Sequence, residues 1–127
     1  MSTREIAIYD ESHEAGQIAV GSQYKSVRFN SVARMQLAVS SNGYGIIQNT
    51  PGGTVGEAIN VRHHGISRHV VDGSGTPIVI GSPITASAGI GIVATAGTMA
   101  YATALQGSAL SGDVIAVLMT GPFRIHA

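Results

Sequence analysis

Residues 27–48 read VRFNSVARMQLAVSSNGYGIIQ, and this stretch decides the fold class. In residues 27–29 and 35–39, apolar side chains alternate with polar ones, which is typical of strands with one face in water. Asn42-Gly43 stands between two apolar runs, and both residues accept the positive φ of a tight hairpin turn. The stretch therefore predicts a β-hairpin that joins residues 35–39 to residues 44–48.

The rest of the chain repeats this pattern of short apolar runs and Gly-rich turns. Further strands are predicted at residues 58–63, 66–71, 76–80, 89–95 and 114–120. Only residues 98–110 are rich in helix-favouring alanine, and Gly107 limits any helix there to a turn or two. We therefore expect an all-β fold, a small β-barrel or β-sandwich, with at most one short helix.

The composition allows one domain with a thin core. The chain has 127 residues, which is enough for one hydrophobic core. Hydrophobic residues make up 44% of the chain, yet only 5% are aromatic and Trp is absent. The 17 glycines add backbone entropy that folding must overcome. A partner surface would offset this cost, so we expect the protein to associate with itself.

The charge balance argues against a nucleic-acid partner. Seven basic and seven acidic residues give a formal net charge of zero, and charged residues are only 11% of the chain. A protein that neutralises several phosphates needs a surplus of Lys and Arg. We therefore expect no direct contact with nucleic acid.

Cysteine is absent, so no disulfide and no thiolate zinc site is expected. Acidic residues near the N-terminus stand where a signal peptide would have its apolar segment, which predicts synthesis in the cytoplasm without export.

Residues 73–112 carry no charge, but Pro77, Pro83 and repeated glycines interrupt them. A membrane span needs about twenty continuous, strongly apolar residues, so we expect no membrane association.

The first fifteen residues differ in composition from the rest of the chain. Four of the seven acids lie there, at Glu5, Asp10, Glu11 and Glu14. We interpret residues 1–15 as an extended N-terminal arm that becomes ordered only against a partner, and residues 16–127 as a single β domain. Within the arm, a short alternating segment could add as a strand to the sheet edge of a partner. That segment is Ile6, Ala7, Ile8 and Tyr9.

A histidine-rich segment is the most obvious candidate for a metal site. His63, His64 and His69 lie within seven residues of sequence. Adjacent residues of a strand point to opposite faces, so His63 and His64 cannot reach the same ion. No Asp or Glu lies within the segment of residues 62–69 that contains them. We therefore expect no metal and no organic cofactor, and we interpret these histidines as surface or subunit-facing residues.

Other motifs also fail to predict catalysis. Residues 89–94 match a permissive dinucleotide-binding pattern with Asp113 downstream, but the alternation of a strand continues through the glycines and no long helix is predicted to follow. No Gly-x-Ser-x-Gly nucleophile motif is present. Outside the arm, the acids Glu57, Asp72 and Asp113 stand alone at turns. No catalytic residue is predicted.

One predicted strand is apolar on both faces. In residues 114–119, alternate positions do not differ in polarity. Such a strand lies either between two sheets or under a neighbouring subunit. We therefore predict a subunit interface formed by Val114, Ile115, Val117, Leu118 and Met119.

Several ordered motifs carry a resemblance to a known family. They are residues 43–51 (GYGIIQNTP), 53–61 (GTVGEAINV), 65–67 (GIS), 80–84 (IGSPI), 102–105 (ATAL) and 112–118 (GDVIAVL). In their order and spacing these residues resemble the capsid decoration, or cement, proteins of tailed bacteriophages. Gly81-Ser82-Pro83 departs from the Gly-Asp that is frequent in the family at that turn, and the arm before Gly16 has no counterpart.

This resemblance implies a virion protein that is a homotrimer on the exterior of an icosahedral capsid. Its partner would be the major capsid protein, and it would brace the shell against internal DNA pressure without catalysis. The arm segment would then be a capsid-docking element.

The main alternative is a β-sandwich binding module on a virion that recognises a carbohydrate or a host surface. Sugar sites usually stack rings on aromatic side chains, but the four tyrosines are scattered in sequence and Trp is absent. This favours the capsid protein. An enzyme is the third alternative.

Overall fold

The structure, a computed structural model, describes residues 6–18, 20–30, 32–39 and 43–125. These residues form nine strands and no helix, and therefore no helix that is long and apolar enough to cross a membrane. The strands are β1 (Ile6–Glu14), β2 (Ser26–Phe29), β3 (Met35–Leu37), β4 (Gly45–Ile47), β5 (Ala58–Asp72), β6 (Pro83–Ser87), β7 (Ile90–Val93), β8 (Met99–Ala104) and β9 (Ser111–Arg124). The predicted all-β fold is confirmed.

The long strand β5 belongs to two rings of strands. The C-terminal ring runs β5–β7–β6–β8–β9 and returns to β5, because β9 pairs with β5 along residues 65–72. Its pairs are antiparallel except β5–β7, where Val71 pairs with Gly91 in parallel. Tyr101, Ile84 and Val117 lie in the buried core that this ring surrounds.

The N-terminal ring runs β1–β5–β4–β2–β3. An isolated bridge between Ala15, just after β1, and Met35 of β3 closes it. Its own core includes Met35, Ile59 and Val61. The two halves of β5 therefore contribute to different cores. Ile59 and Val61 lie in the N-terminal core, and Val71 lies in the C-terminal core.

The predicted hairpin between residues 35–39 and 44–48 is not formed. Among the described residues, strand β3 forms a ladder with β2 in addition to the bridge at Met35, and β4 pairs with β2 and β5 but not with β3. Strands β2 and β3 form a hairpin instead. The Asn30 side chain stabilises the turn between them, because it accepts hydrogen bonds from the backbone N–H groups of Val32 and Arg34. Of the predicted turn, Ser41 and Asn42 lie outside the described residues.

Three other predicted elements differ from the structure. Residues 58–63 and 66–71 form one continuous strand, since Gly65, with φ of 115°, continues the extended chain where a turn was predicted. The alanine-rich residues after Thr98 form β8, because Ala100, Ala102 and Ala104 are small enough to be buried inside a narrow ring. Residues 76–80 form no strand beyond a single bridge at Ile78.

Residues 6–15 of the predicted N-terminal arm are part of the domain. Strand β1 pairs antiparallel with β5 of the same chain, from Ile6↔Ile66 to Glu14↔Ala58. The docking segment Ile6, Ala7, Ile8 and Tyr9 lies within β1. The boundary after residue 15 is wrong, as is the expectation that this segment becomes ordered only against a partner. The acid content was misleading because the Asp10 carboxylate accepts hydrogen bonds from the Arg62 side chain, at 2.9 and 3.1 Å.

The five residues predicted to form a subunit interface differ in their burial. Ile115, Val117 and Met119 are buried in the core of the C-terminal ring, so their assignment to a subunit interface is wrong. The apolar character of both faces is explained in part by burial inside the chain itself. Val114 is 42% exposed and Leu118 is half-buried on the other face of β9, where a subunit interface stays a prediction.

Candidate functional site

Aromatic and histidine rings gather where strands of the N-terminal ring come together. Tyr9 and His13 lie on β1, Phe29 on β2, His63 on β5, and Tyr44 directly before β4. We call these five residues the ring cluster. Glu11 and His13 are two residues apart on β1, a spacing that puts both side chains on one face of the strand.

His63 is the centre of the ring cluster. The Tyr9 ring stacks on it with the centroids 5.0 Å apart, and the Tyr44 ring meets it edge-on at 4.7 Å. The His13 ring also meets His63 edge-on, at 5.3 Å, and Phe29 packs against both His13 and Tyr44. Aromatic pairs in these geometries add stability beyond the area they bury. The position of the His63 imidazole is therefore fixed from several sides.

Three potential metal-ligand atoms converge beside this ring. The Nε2 atoms of His13 and His63 lie 3.1 Å apart, and the Glu11 carboxylate oxygen Oε1 lies 3.6 Å from His13 Nε2. One ligand atom from each of the three residues lies within 4.8 Å of the others. His63 is buried, His13 is largely buried, and Glu11 is exposed at the surface. The group thus opens toward solvent on the carboxylate side.

The surroundings of His63 favour its neutral form. Burial, and after it the charge of a protonated His13, lower the pKa of the His63 imidazole below its ordinary value. A hydrogen bond to the backbone of Tyr44 opposes this effect. Because Nε2 faces His13, the ring atom that donates to the Tyr44 carbonyl is Nδ1, which leaves the Nε2 lone pair directed into the cluster.

An ion pair holds β1 in place beside this group. Arg62 Nε and Nη2 donate to the two carboxylate oxygens of Asp10, at 2.9 and 3.1 Å, in a bidentate arrangement. Arg62 Nη1 also donates to the backbone carbonyl of Ile66. The Arg62 side chain is only 9% exposed, so the pair is shielded from water and fixes the neighbouring residues of β1 against β5.

A surface pocket of about 230 Å³ adjoins the ring cluster. Its lining is largely apolar and aromatic, with His63 at the edge that it shares with the cluster. The lining residues are Tyr9, Tyr44, His63, His64, Gly121 and Pro122. Tyr9 and Tyr44 are both partly exposed, so their rings are accessible to a ligand.

The three histidines of the predicted segment do not share one environment. His63 is buried in the ring cluster, and His64 is exposed and lines the same pocket, with its ring centroid 6.3 Å from that of Tyr9. His69 lies in the C-terminal ring, where Nδ1 meets the Tyr24 carbonyl oxygen at 2.8 Å and Nε2 meets the Tyr101 hydroxyl at 2.5 Å. They do not form a common site.

The other motifs have structural roles. Gly89 and Gly91 flank the start of β7, and a Cβ at Gly91 would lie 2.9 Å from His69 Nε2, so the glycine there is needed for packing.

The Asp72 carboxylate accepts hydrogen bonds from the backbone N–H and the hydroxyl of Ser74 in a turn, which lowers the pKa of Asp72. Glu57 accepts hydrogen bonds from the backbone N–H groups of residues 52–54. A second surface pocket, of about 180 Å³, lies beside Asp72 and contains no cluster of titratable groups.

Sequence reasoning missed Glu11 and His13, because it assigned them to a solvated arm, and it treated the tyrosines as scattered. The signal was available in the alternation of Tyr9, Glu11 and His13, which predicts a strand with one chemically distinct face. Which strand it would pair with depends on long-range contacts that local sequence does not specify.

The comparisons with known proteins add no family to this description. A scan against protein-family models and a search of curated proteins both find no match to this chain. The chemistry of the site therefore follows from its own geometry.

Proposed function

We propose that this protein decorates and stabilises the exterior of a tailed-phage capsid, as a homotrimer bound to the major capsid protein and without catalysis. The proposal combines the resemblance carried by residues 43–51, 53–61 and 112–118 with the places of these segments in the fold. A virion exterior location follows from the same proposal.

The observation that carries the proposal is that the resembling segments are neighbours in space. Residues 43–51 contain β4, residues 53–61 lead into β5, and residues 112–118 form the first half of β9. Strand β1 pairs with one edge of β5 at both Arg62 and Ile66. Strand β4 also pairs with Arg62, and β9 also pairs with Ile66. Both β4 and β9 must therefore lie along the other edge of β5. The motifs thus form one continuous part of the sheet, as a shared fold would require.

An apolar stripe on the outer face of the sheet supports self-association. In the β5–β9 register, Ile66 pairs with Leu118 and Val70 pairs with Val114, and the pair formed by Arg68 and Ala116 lies between them on the same face. Val114 is 42% exposed, and Ile66, Val70 and Leu118 are half-buried in the single chain. Exposed apolar side chains that are neighbours across two strands are typical of a surface covered by a partner. We name these four residues the outer stripe.

Binding to undecorated capsids tests this proposal. Purified protein is mixed with heads of the virus that encodes it, prepared from a strain in which the gene is deleted, and the mixture is sedimented. The proposal expects saturable cosedimentation and heads that resist heat or chelation better than bare heads. A protein that stays in the supernatant at every concentration contradicts it. Heads of an unrelated phage are the control.

The pocket beside the ring cluster favours one alternative function, a carbohydrate- or host-surface-binding module. Tyr9 and Tyr44, far apart in sequence, lie together at one pocket of about 230 Å³, and exposed tyrosine rings can stack against a sugar. A glycan array tests this alternative. Binding that is lost in Tyr44→Ala, together with no affinity for capsids, would favour the binding module over the decoration protein.

A further inference from the structure

The convergence of Glu11, His13 and His63 has no assigned role in capsid decoration. Two imidazoles face each other through Nε2 at 3.1 Å, with a carboxylate oxygen 3.6 Å from one of them. Zinc binds imidazole and carboxylate ligands at about 2.0–2.1 Å in a tetrahedron, which puts neighbouring ligand atoms about 3.3 Å apart. Both measured distances lie close to that spacing. We propose that Glu11, His13 and His63 bind one Zn²⁺ ion that fastens strand β1 to strand β5.

The type and number of ligands match an open zinc site. Two neutral imidazoles and one carboxylate are a ligand set that zinc accepts readily, whereas Mg²⁺ and Ca²⁺ prefer oxygen ligands alone. Three protein ligands leave the fourth position of the tetrahedron for water. The Glu11 side chain is 44% exposed, so that position faces solvent and an ion can enter without a change in the fold.

The orientation of His63 is already that of a metal ligand. Metal-binding histidines usually donate their second ring N–H to a backbone carbonyl or a carboxylate, which fixes the tautomer and the ring plane. His63 makes such a bond to the Tyr44 backbone, and Tyr9 and Tyr44 pack against the ring. An ion between the two Nε2 atoms replaces the proton they otherwise share. The Asp10–Arg62 ion pair keeps β1 and β5 in register beside the site.

The ion would add a cross-link at an edge of the sheet. Glu11 and His13 belong to β1, which pairs only with β5 among the described strands, and His63 belongs to β5. Because a ligand that binds only the folded state stabilises it, zinc should protect β1 from opening. This inference does not depend on the proposed function, since it is argued from contacts within one chain alone.

The test is a titration of metal-free protein with Zn²⁺ in competition with a chromophoric chelator. One ion per chain is expected to bind. Glu11→Gln changes the side chain at the open side of the site, and His13→Ala removes a largely buried ligand. His13→Ala is expected to weaken binding by more than about 100-fold, beyond the loss typical of outer-shell partners. His64→Ala is the matched control, because His64 is adjacent in sequence and exposed but does not belong to the three converging ligands, and it should bind like the wild type.

Thermal unfolding with and without Zn²⁺ gives a second measurement that does not depend on His63→Ala, a variant that could fail to fold. Zinc should raise the Tm of the wild type and of His64→Ala, and leave that of His13→Ala unchanged. The proposal is overturned if the wild type shows no saturable binding, if one ion binds per two chains, or if His64→Ala loses as much affinity as His13→Ala.

Discussion

The His69 imidazole and the Tyr101 hydroxyl form a buried hydrogen bond of 2.5 Å inside the C-terminal ring. His69 Nδ1 faces the Tyr24 carbonyl at 2.8 Å. Because a carbonyl only accepts, Nδ1 carries the proton, and Nε2 accepts from Tyr101. Both side chains are buried, so the neutral tautomer of His69 is part of the folded structure. Burial likewise raises the pKa of Tyr101 and keeps its hydroxyl protonated as the donor.

This arrangement predicts that stability falls in mild acid. Burial lowers the pKa of His69 to about 4, against 6.5 for the exposed side chain. Between these two values the unfolded chain binds more protons than the folded chain, so the free energy of unfolding should rise with pH across that window. The contribution of His69 is fully present above pH 6.5 and lost toward pH 4, and it amounts to about 3 kcal/mol.

Urea unfolding of the wild type and of His69→Gln at several pH values in this window checks the prediction. The difference between the two curves isolates His69 from the other titrating groups, including His63, whose pKa is shifted in the same direction. Parallel curves for the two proteins would show that His69 does not titrate with folding.

The ion pair between Asp10 and Arg62 is expected to stabilise the pairing of β1 with β5. Asp10→Asn replaces the carboxylate that accepts from Arg62 Nε and Nη2 with a neutral amide and should lower the free energy of unfolding by roughly 1–3 kcal/mol. Amide exchange should become faster in β1 before it does in the C-terminal ring. Glu14→Gln is the control, because its ion pair with Arg34 is exposed and is worth less than about 1 kcal/mol. Equal effects of the two substitutions would contradict this interpretation.

The close approach of β7 to His69 predicts that Gly91 cannot be enlarged without loss of stability. A Cβ at this position would lie 2.9 Å from both His69 Nε2 and Ile84 Cγ2. Gly91→Ala should therefore cost about 1–3 kcal/mol of unfolding free energy, measured by denaturant unfolding. Gly75→Ala is the matched control, since a Cβ there meets no atom within 4 Å. A Gly91→Ala protein as stable as the control would contradict the packing described.

The outer stripe predicts the effect of one surface substitution on oligomeric state. Val114 is 42% exposed, so Val114→Asp should leave the fold intact while placing a charge in the proposed trimer interface. Sedimentation velocity should show a trimer for the wild type and a monomer for Val114→Asp. Val20→Asp, at a side chain that is 70% exposed and outside the stripe, should remain a trimer. A strictly monomeric wild type, or a trimer that persists in Val114→Asp, would show that the outer stripe is not the interface.

The sequence was sufficient for the fold class and for individual strands, but not for their pairing. Alternation of apolar residues is a local property and identified β2, β3 and β7, whereas a continuous apolar run at residues 114–119 identified β9. The partner of each strand depends on contacts across the chain. The Asn-Gly signal predicted a β3–β4 hairpin, whereas the Asn30 turn directs β3 onto β2.

The candidate site shows the same limit at the level of side chains. That His63 and His64 cannot reach the same ion stays a prediction, and the search for a carboxylate was confined to sequence neighbours. Glu11 and His13 reach His63 because β1 pairs with β5, some fifty positions away along the chain. The acids of residues 10–14 resembled a solvated arm, since nothing local reveals that Arg62 lies opposite Asp10.

A cryo-electron-microscopy reconstruction of heads from the phage proposed to encode this chain, compared with heads from a strain lacking the gene, tests the central claim most directly. The account predicts additional density on the outer surface of the wild-type heads, at local threefold positions, into which three copies of this β domain fit with the outer stripes facing one another. Identical outer surfaces in the two reconstructions, or density that fits the chain only inside the shell or on the tail, would contradict it.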